Sequence, residues 1–321
     1  MIKKAKVLVA SYTIPEEAIR ILRSQFDVRV CEAKKDAILL NIPGVDGLFW
    51  SSHLRLDDEI LDKAGPQLKA VGVMSAGYDH INTSELQRRG IKLGNTPIVL
   101  NDAVADIAVL LCLAASRRIV EARIAIEESR WSFDNGTQWM LGQEISESTV
   151  GIVGLGGVGV TIVRRLKGFN VNRFLYTGHG EKPEGATIGA EFVGLDYLLT
   201  NSDFVFACVP LTSETENMFN ARFFSLMKRT AVFVNVSRGA TVNQNDLIAA
   251  LKENKIFAAG LDVMTPEPLP SDHELLKLPN CVITPHLGSA TKKTRENMAI
   301  LTAKNISNAL NGTLMETPVV W

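Results

Sequence analysis

Three ionisable residues stand just beyond the ends of three apolar runs. Arg238 follows "AVFVNVS", Glu267 lies in "GLDVMTPEPLP", and His286 lies in "CVITPHLGSAT". Apolar runs this short, bounded by turn residues, read as buried strands. Strand interiors tolerate a guanidinium poorly. In an open parallel sheet, residues beyond the carboxyl ends of the strands line the ligand crevice. Arg238 is therefore expected to meet an anion there, with Glu267 and His286 along the same edge. Pro266, Pro268 and Pro285 stiffen the backbone beside these two.

A second pattern lies earlier in the chain. "STVGIVGLGGVGVTIVRRL" contains Gly154-Leu155-Gly156-Gly157-Val158-Gly159. A glycine-rich turn alone says little. This one follows an expected strand, Thr149–Val153, and opens an expected helix, Gly157–Leu166, which is the context of a dinucleotide phosphate site. Gly154 permits the tight turn and Gly156 lets the backbone approach a pyrophosphate. Gly159 lets helix and strand pack closely, and the helix N-terminus offers N–H groups to the anion. Where an acidic residue would bind the ribose of NAD, the next strand ends Tyr176-Thr177-Gly178, with no carboxylate. His179 and Lys182 follow, which suits a 2′-phosphate, although Glu181 lies between them. NADP(H) is thus expected ahead of NAD(H), with NAD(H) possible.

These residues need a scaffold, and the rest of the chain supplies one. Strands are expected at 6–10, 47–50, 69–73, 149–153, 173–176, 204–209, 231–236, 258–261 and 282–283. Helical patterns lie between most of them, as at 16–23, 57–63, 157–166 and 245–253. Strands separated by helices mean parallel sheets, hence an α/β protein. Residues 101–128 read as one long helical stretch able to carry the chain from one domain to another. A last helix is expected at 291–310. The expected boundaries place 1–101 with 287–321 in one domain and 102–286 in the other.

Composition narrows the functions. Among 321 residues, 46% are apolar, and 34 basic residues face 35 acidic ones. The resulting charge of -1 gives no electrostatic case for nucleic acid or an anionic membrane as partner. Cys31, Cys112, Cys208 and Cys281 sit in apolar surroundings without CxxC pairing, as reduced thiols in a cytoplasmic protein would. No signal peptide, membrane span or lipidation motif is read at either end. His80, His179 and His273 read as surface groups, His53 as either a substrate-loop residue or a solvated turn, and no metal-ligand spacing occurs. Asp106 reads as a capping or solvated group.

The motifs "GIVGLGGVG", "NVSRGATVNQNDL", "AAGLDVMTPEPLP" and "TPHLGSAT" together resemble the D-2-hydroxyacid dehydrogenase family, over nearly the whole chain. "RFLYTG", "VNQNDL" and "EPLP" are most similar to its branch that reduces glyoxylate and hydroxypyruvate. The resemblance implies two doubly wound parallel-sheet domains, a Rossmann cofactor domain inserted in a flavodoxin-like substrate domain. It implies that His286 protonates the ketone oxygen, that Glu267 fixes its tautomer and favours the protonated imidazole, and that Arg238 binds the 2-oxo acid. Asp262, Val209, Pro210 and Ser289 would lie against the cofactor, as would Thr177, His179 and Lys182. The backbone of Ser75-Ala76-Gly77 would cradle the substrate carboxylate. The apolar helix 104–115 and the irregular segment 129–146 point to a homodimer, and the resemblance adds that Trp139 reaches from the partner subunit into the substrate cleft. Gly157 departs from the pattern, where a larger or basic residue is more usual.

Two alternatives keep the same three residues. One is a broader 2-oxo-acid or 3-phosphoglycerate dehydrogenase, against which stands the lack of room for a regulatory domain after Trp321. The other is a non-catalytic NAD(H)-sensing corepressor-like scaffold, against which stands the lack of extended charged tails.

Overall fold

Whether helices cover one face of a sheet or both decides how its strands read, and here both faces are covered. The computed structural model describes residues 4–321, and no helix among them is long and apolar enough to cross a membrane. The chain divides into two units, one running to Leu100 and resuming at Ala290–Trp321, the other Asn101–Ser289.

The first unit holds β1 (Lys6–Val9), β2 (Asp27–Val30), β3 (Gly47–Trp50), β4 (Ala70–Val73) and β5 (Lys92–Gly94), all parallel, in the order β2-β1-β3-β4-β5. This is the flavodoxin-like order. Successive side chains alternate between two buried faces. Leu8, Leu48, Trp50 and Val71 join one core, whereas Val7, Val9 and Phe49 join the other. The helix Lys292–Leu310, capped by the Thr291 hydroxyl accepting from Thr294 N at 3.1 Å, brings Ala299, Ala303 and Ile306 onto the Phe49 face. Their spacing of four and three puts all three on one helical stripe.

The second unit holds β6 (Thr149–Val153), β7 (Arg173–Thr177), β8 (Ala190–Phe192), β9 (Phe204–Ala207), β10 (Val232–Asn235), β11 (Ala258–Leu261) and β12 (Cys281–Ile283). Their order is β12-β11-β10-β9-β6-β7-β8, again all parallel. The order reverses between β6 and β9, the switch point at which such sheets bind ligands. Phe204, Phe206, Val232 and Val234 face one core; Val205, Phe233, Ala259 and Leu261 face the other.

The structure departs from the sequence expectation in two ways. Strands β2, β5 and β8 were not expected, and all three are sheet edges of three or four residues. Edge strands need not be apolar, so "DVRV", "KLG" and "AEF" carry no continuous apolar run. The stretch 101–128 is not one helix but two, Asn101–Ser116 and Ile119–Glu127. Arg118 between them is left-handed, with φ 54°. Its guanidinium is held by Glu121 at 2.8 and 2.7 Å and donates to the Leu141 carbonyl at 3.3 Å. The Ser116 carbonyl, freed by the break, accepts from Gln143 N at 2.9 Å. The segment after the second helix thus folds back onto the break.

Candidate active site

At the glycine turn, the Gly154 N–H donates to Thr177 O at 2.9 Å, tying the turn to the end of β7. Gly154 has φ 97°, a conformation that a side chain would strain. A Cβ at Gly159 would lie 2.6 Å from the Gly154 carbonyl, so the helix Gly157–Leu166 sits directly on the turn. Gly156 has open space where its Cβ would be, and the helix start carries no side-chain cap. An uncapped helix start beside an open glycine fits a cofactor pyrophosphate. Leu155 is buried, and Val158 half-buried. At Gly157 a Cβ would meet the Asn101 amide nitrogen at 2.3 Å, which gives the small residue a packing reason. The two helices are also joined by Arg165, which reaches Asp102 at 2.7 Å and Asp106 at 2.8 Å. Asp106 is therefore an ion-pair partner rather than a cap.

Around the end of β7, Thr177 is buried and Gly178 is exposed with nothing near its Cβ position. The Lys182 ammonium donates to Leu155 O at 3.0 Å, at the glycine turn itself. His179, 95% exposed, lies 3.4 Å from the Glu214 carboxylate. Val209 and Pro210 follow the end of β9, which stops at Ala207; the Val209 side chain lies 3.0 Å from where a Cβ on Gly154 would be.

The three ionisable residues follow β10, β11 and β12, which are neighbours in the sheet. Arg238 sits in a turn built by the buried Asn235. The Asn235 amide donates to Arg238 O at 3.0 Å and accepts from Ser237 N at 3.0 Å and Ser237 Oγ at 2.8 Å. Thr241 Oγ1 donates to the same Arg238 carbonyl at 2.7 Å. Glu267 lies between two cis prolyl bonds, Thr265-Pro266 and Glu267-Pro268. Its Oε1 accepts from Met264 N at 3.0 Å, and its Oε2 lies 2.7 Å from His286 Nδ1. Burial by itself raises the Glu267 pKa. The hydrogen bonds from His286 and Met264 N, with the charges of His286 and Arg238, outweigh it and hold the carboxyl below its ordinary value.

Asp262 does more than its sequence position suggested. It is 2% exposed. Its Oδ1 accepts from Thr284 Oγ1 at 2.6 Å and Leu287 N at 2.7 Å, and its Oδ2 from Gly288 N at 2.7 Å. His286 N donates to Asp262 O at 2.9 Å. These bonds wrap His286, whose φ of 53° is left-handed and unusual outside glycine. They also keep Leu287, Gly288 and Ser289 in this unit. Asn235 and Thr284 were missed from sequence because a buried asparagine at a strand end and a threonine before a proline carry no distinctive spacing.

In the other unit, Ser75-Ala76-Gly77 follows β4 as a turn. Ser75 Oγ donates to Gly77 O at 2.5 Å, Asn95 Nδ2 donates to Ala76 O at 2.7 Å, and Thr96 N donates to Ser75 O at 2.9 Å. Trp139 is half-buried in the irregular segment, where Trp131 and Phe133 are exposed. Among the described residues no cluster of three potential metal ligands occurs.

Residues 109–288 match the family profile "D-isomer specific 2-hydroxyacid dehydrogenase, NAD binding domain". The chain belongs to this family. It is 48% identical over 275 residues to a glyoxylate reductase/hydroxypyruvate reductase of Mus musculus, covering 85% of this chain and 84% of that one. It is 42% identical to a glyoxylate reductase of Thermococcus onnurineus, covering 98% and 96%. The structure of an NADPH-dependent glyoxylate/hydroxypyruvate reductase from Sinorhizobium meliloti, in complex with NADP and malonate, aligns with a TM-score of 0.87 at 30% identity, covering 99% and 97%. As in the rest of the family, the chemistry is that of an NAD(P)-dependent oxidoreductase, and the uncapped glycine turn and the Glu267–His286 pair lie in the same unit.

A carboxyl held below its ordinary value stabilises the fold fully above that value and loses the contribution as pH falls through the lowered one. The stability difference between wild type and Glu267→Gln should therefore be largest near neutrality and shrink well below pH 4.5, the ordinary value of the group. Urea unfolding at stepped pH measures it; a difference that is flat with pH would mean that charge does not hold this carboxylate.

Proposed function

We propose that this chain reduces small 2-oxo acids, glyoxylate to glycolate and hydroxypyruvate to D-glycerate, with NADPH preferred to NADH. The carrying observation is the 2.7 Å contact between His286 Nδ1 and Glu267 Oε2 at a sheet edge shared with Arg238. The relatives that bear these activities in their names support the substrate class.

Arg238 binds the substrate through its carboxylate and carbonyl, using the fork geometry of the guanidinium. A nicotinamide cofactor, when bound, would supply the hydride for the carbonyl carbon. His286 gives a proton from Nε2 to the carbonyl oxygen, and Glu267 on Nδ1 fixes the tautomer and stabilises the imidazolium. Gly154 to Gly159 would hold the pyrophosphate, Thr177, His179 and Lys182 the adenosine ribose end, and Val209, Pro210, Asp262 and Ser289 would line the cofactor site. The unit 101–289 is the cofactor domain and the other the substrate domain. Free thiols suit a cytoplasmic enzyme. Exposed Leu110, Ile119, Ile126, Trp131, Phe133 and Leu141 support a homodimer built on this region, with Trp139 entering the partner's site.

His286→Ala should lower kcat for glyoxylate with NADPH by roughly 10²–10⁴-fold, the usual size of a lost general acid. Near-wild-type turnover would sink the assignment. A wild-type panel of glyoxylate, hydroxypyruvate, pyruvate and phenylpyruvate, with each cofactor, tests the substrate class.

At the end of β7, Gly178 has room for a carboxylate. Wild type should show a higher kcat/KM with NADPH than with NADH, and Gly178→Asp should reverse that order. A wild-type preference for NADH would refute the reading of residues 176–182.

Trp139→Ala should raise kcat/KM for phenylpyruvate relative to glyoxylate while light scattering still reports a dimer. A weakened dimer with the substrate order unchanged would assign Trp139 to packing alone.

A further inference from the structure

The loop that carries Glu267 leaves β11 and has a second anchor besides the strand. Gln244, the first residue of the helix Gln244–Lys252, places its side-chain amide against Thr265. Its Oε1 accepts from Thr265 N at 2.8 Å, and its Nε2 donates to Thr265 O. One planar group thus satisfies both backbone polar groups of one residue. Among side chains with this reach, only an amide offers a donor and an acceptor side by side; a carboxylate only accepts and an ammonium only donates.

An independent contact grips the neighbouring residue. A Cβ on Gly239 would lie 1.9 Å from Met264 O and 2.1 Å from Met264 C, so the backbone after Arg238 rests directly on the loop. Met264 in turn gives its N–H to Glu267 Oε1 at 3.0 Å, which leaves Oε2 for His286. The segment between these contacts is itself held. Phe219, fully buried, bridges to Val242, and Asn243 caps the helix through Asp246 N at 3.2 Å.

We infer that Gln244 is a positioning residue which, with Gly239, seats the Met264–Glu267 loop so that Glu267 Oε2 meets His286 Nδ1. Residues 238–244 therefore carry the anion-binding arginine at one end and the support of the acid–base pair at the other. Movement of this segment would shift both together and keep their spacing. The inference rests on the reductase reading only where turnover is the readout.

The experiment uses the full chain with Gln244→Ala and Gln244→Glu, each also combined with Glu267→Gln. Gln244→Glu keeps size and acceptor, sits in a first helical turn where acids are favoured, and carries the test if Gln244→Ala fails to fold. Small misplacements of reacting groups cost up to ~100-fold in rate. Both variants should accordingly lower kcat for glyoxylate with NADPH by roughly 10-fold or more, with NADPH affinity within about twofold of wild type. In the Glu267→Gln background, the added change should cost less than about twofold, because the group it positions is gone. A second readout needs no turnover: the Glu267 carboxyl, faced by His286 and Arg238, titrates below its ordinary value. Followed by ¹³C NMR and assigned by its loss in Glu267→Gln, that titration should move upward in Gln244→Ala, which introduces no new charge. Losses that multiply across the two sites, or a Glu267 titration that does not move, would overturn the inference. A wild type inactive on every 2-oxo acid, with the titration moved, would refute the reductase reading and leave the positioning role standing.

Discussion

The carboxylate of Asp262 is the constraint from which the geometry of the Glu267–His286 pair follows. It is buried, and a buried carboxylate without donors would be strongly unfavourable. Its three donors all come from the segment after β12, so satisfying the charge also fixes the path of that segment. His286 lies within that path in a conformation it would not choose alone. Placing the ring by this route brings its Nδ1 to 2.7 Å from Glu267 Oε2. The hydrogen bonds between Asp262 and this segment offset both the buried carboxylate and the left-handed backbone, which is why the two occur at one place.

The same logic recurs at the ends of β10 and β11. Asn235 closes the turn at Arg238 with three hydrogen bonds from a fully buried position. Met264 N directs one oxygen of Glu267, so that the other is left for the imidazole. Each ionisable group is thus aimed by a hydrogen-bonded neighbour near its own strand end. Groups fixed in this way need little reorganisation when charge develops beside them.

How far this was legible in the sequence depends on the kind of signal. Central strands such as β6 and β9 lie between covered faces, so they are continuous apolar runs and stand out. Edge strands β2, β5 and β8 do not, because one side lacks a partner and the segments are short. The glycine turn could be read because each glycine answers a separate steric demand at a fixed spacing. The helix break at Arg118 could not, since an arginine in a left-handed conformation is favoured only by what surrounds it, here Glu121 and Leu141 O. Arg238, Glu267 and His286 were visible as charged residues beyond apolar runs. The bonds that aim them join residues distant in sequence, such as Asp262 to Gly288, and no local period reports such a pair.

The first sheet is covered on its Phe49 face by Ala299, Ala303 and Ile306, which lie some 250 residues further along the chain. That separation has a bearing on synthesis. When residues 1–100 have emerged, Val7, Val9 and Phe49 have Ala18, Ile19 and Leu22 of the same core beside them, but the stripe from the helix Lys292–Leu310 is still to come. The inserted unit, contiguous from Asn101 to Ser289, holds all of its own core and can close first. Until residues 292–310 are made, the ribosome therefore presents a parallel sheet with one face only partly covered, a state prone to wrong association. For this protein, the interval before the last helix emerges is the period of greatest need for chaperone protection.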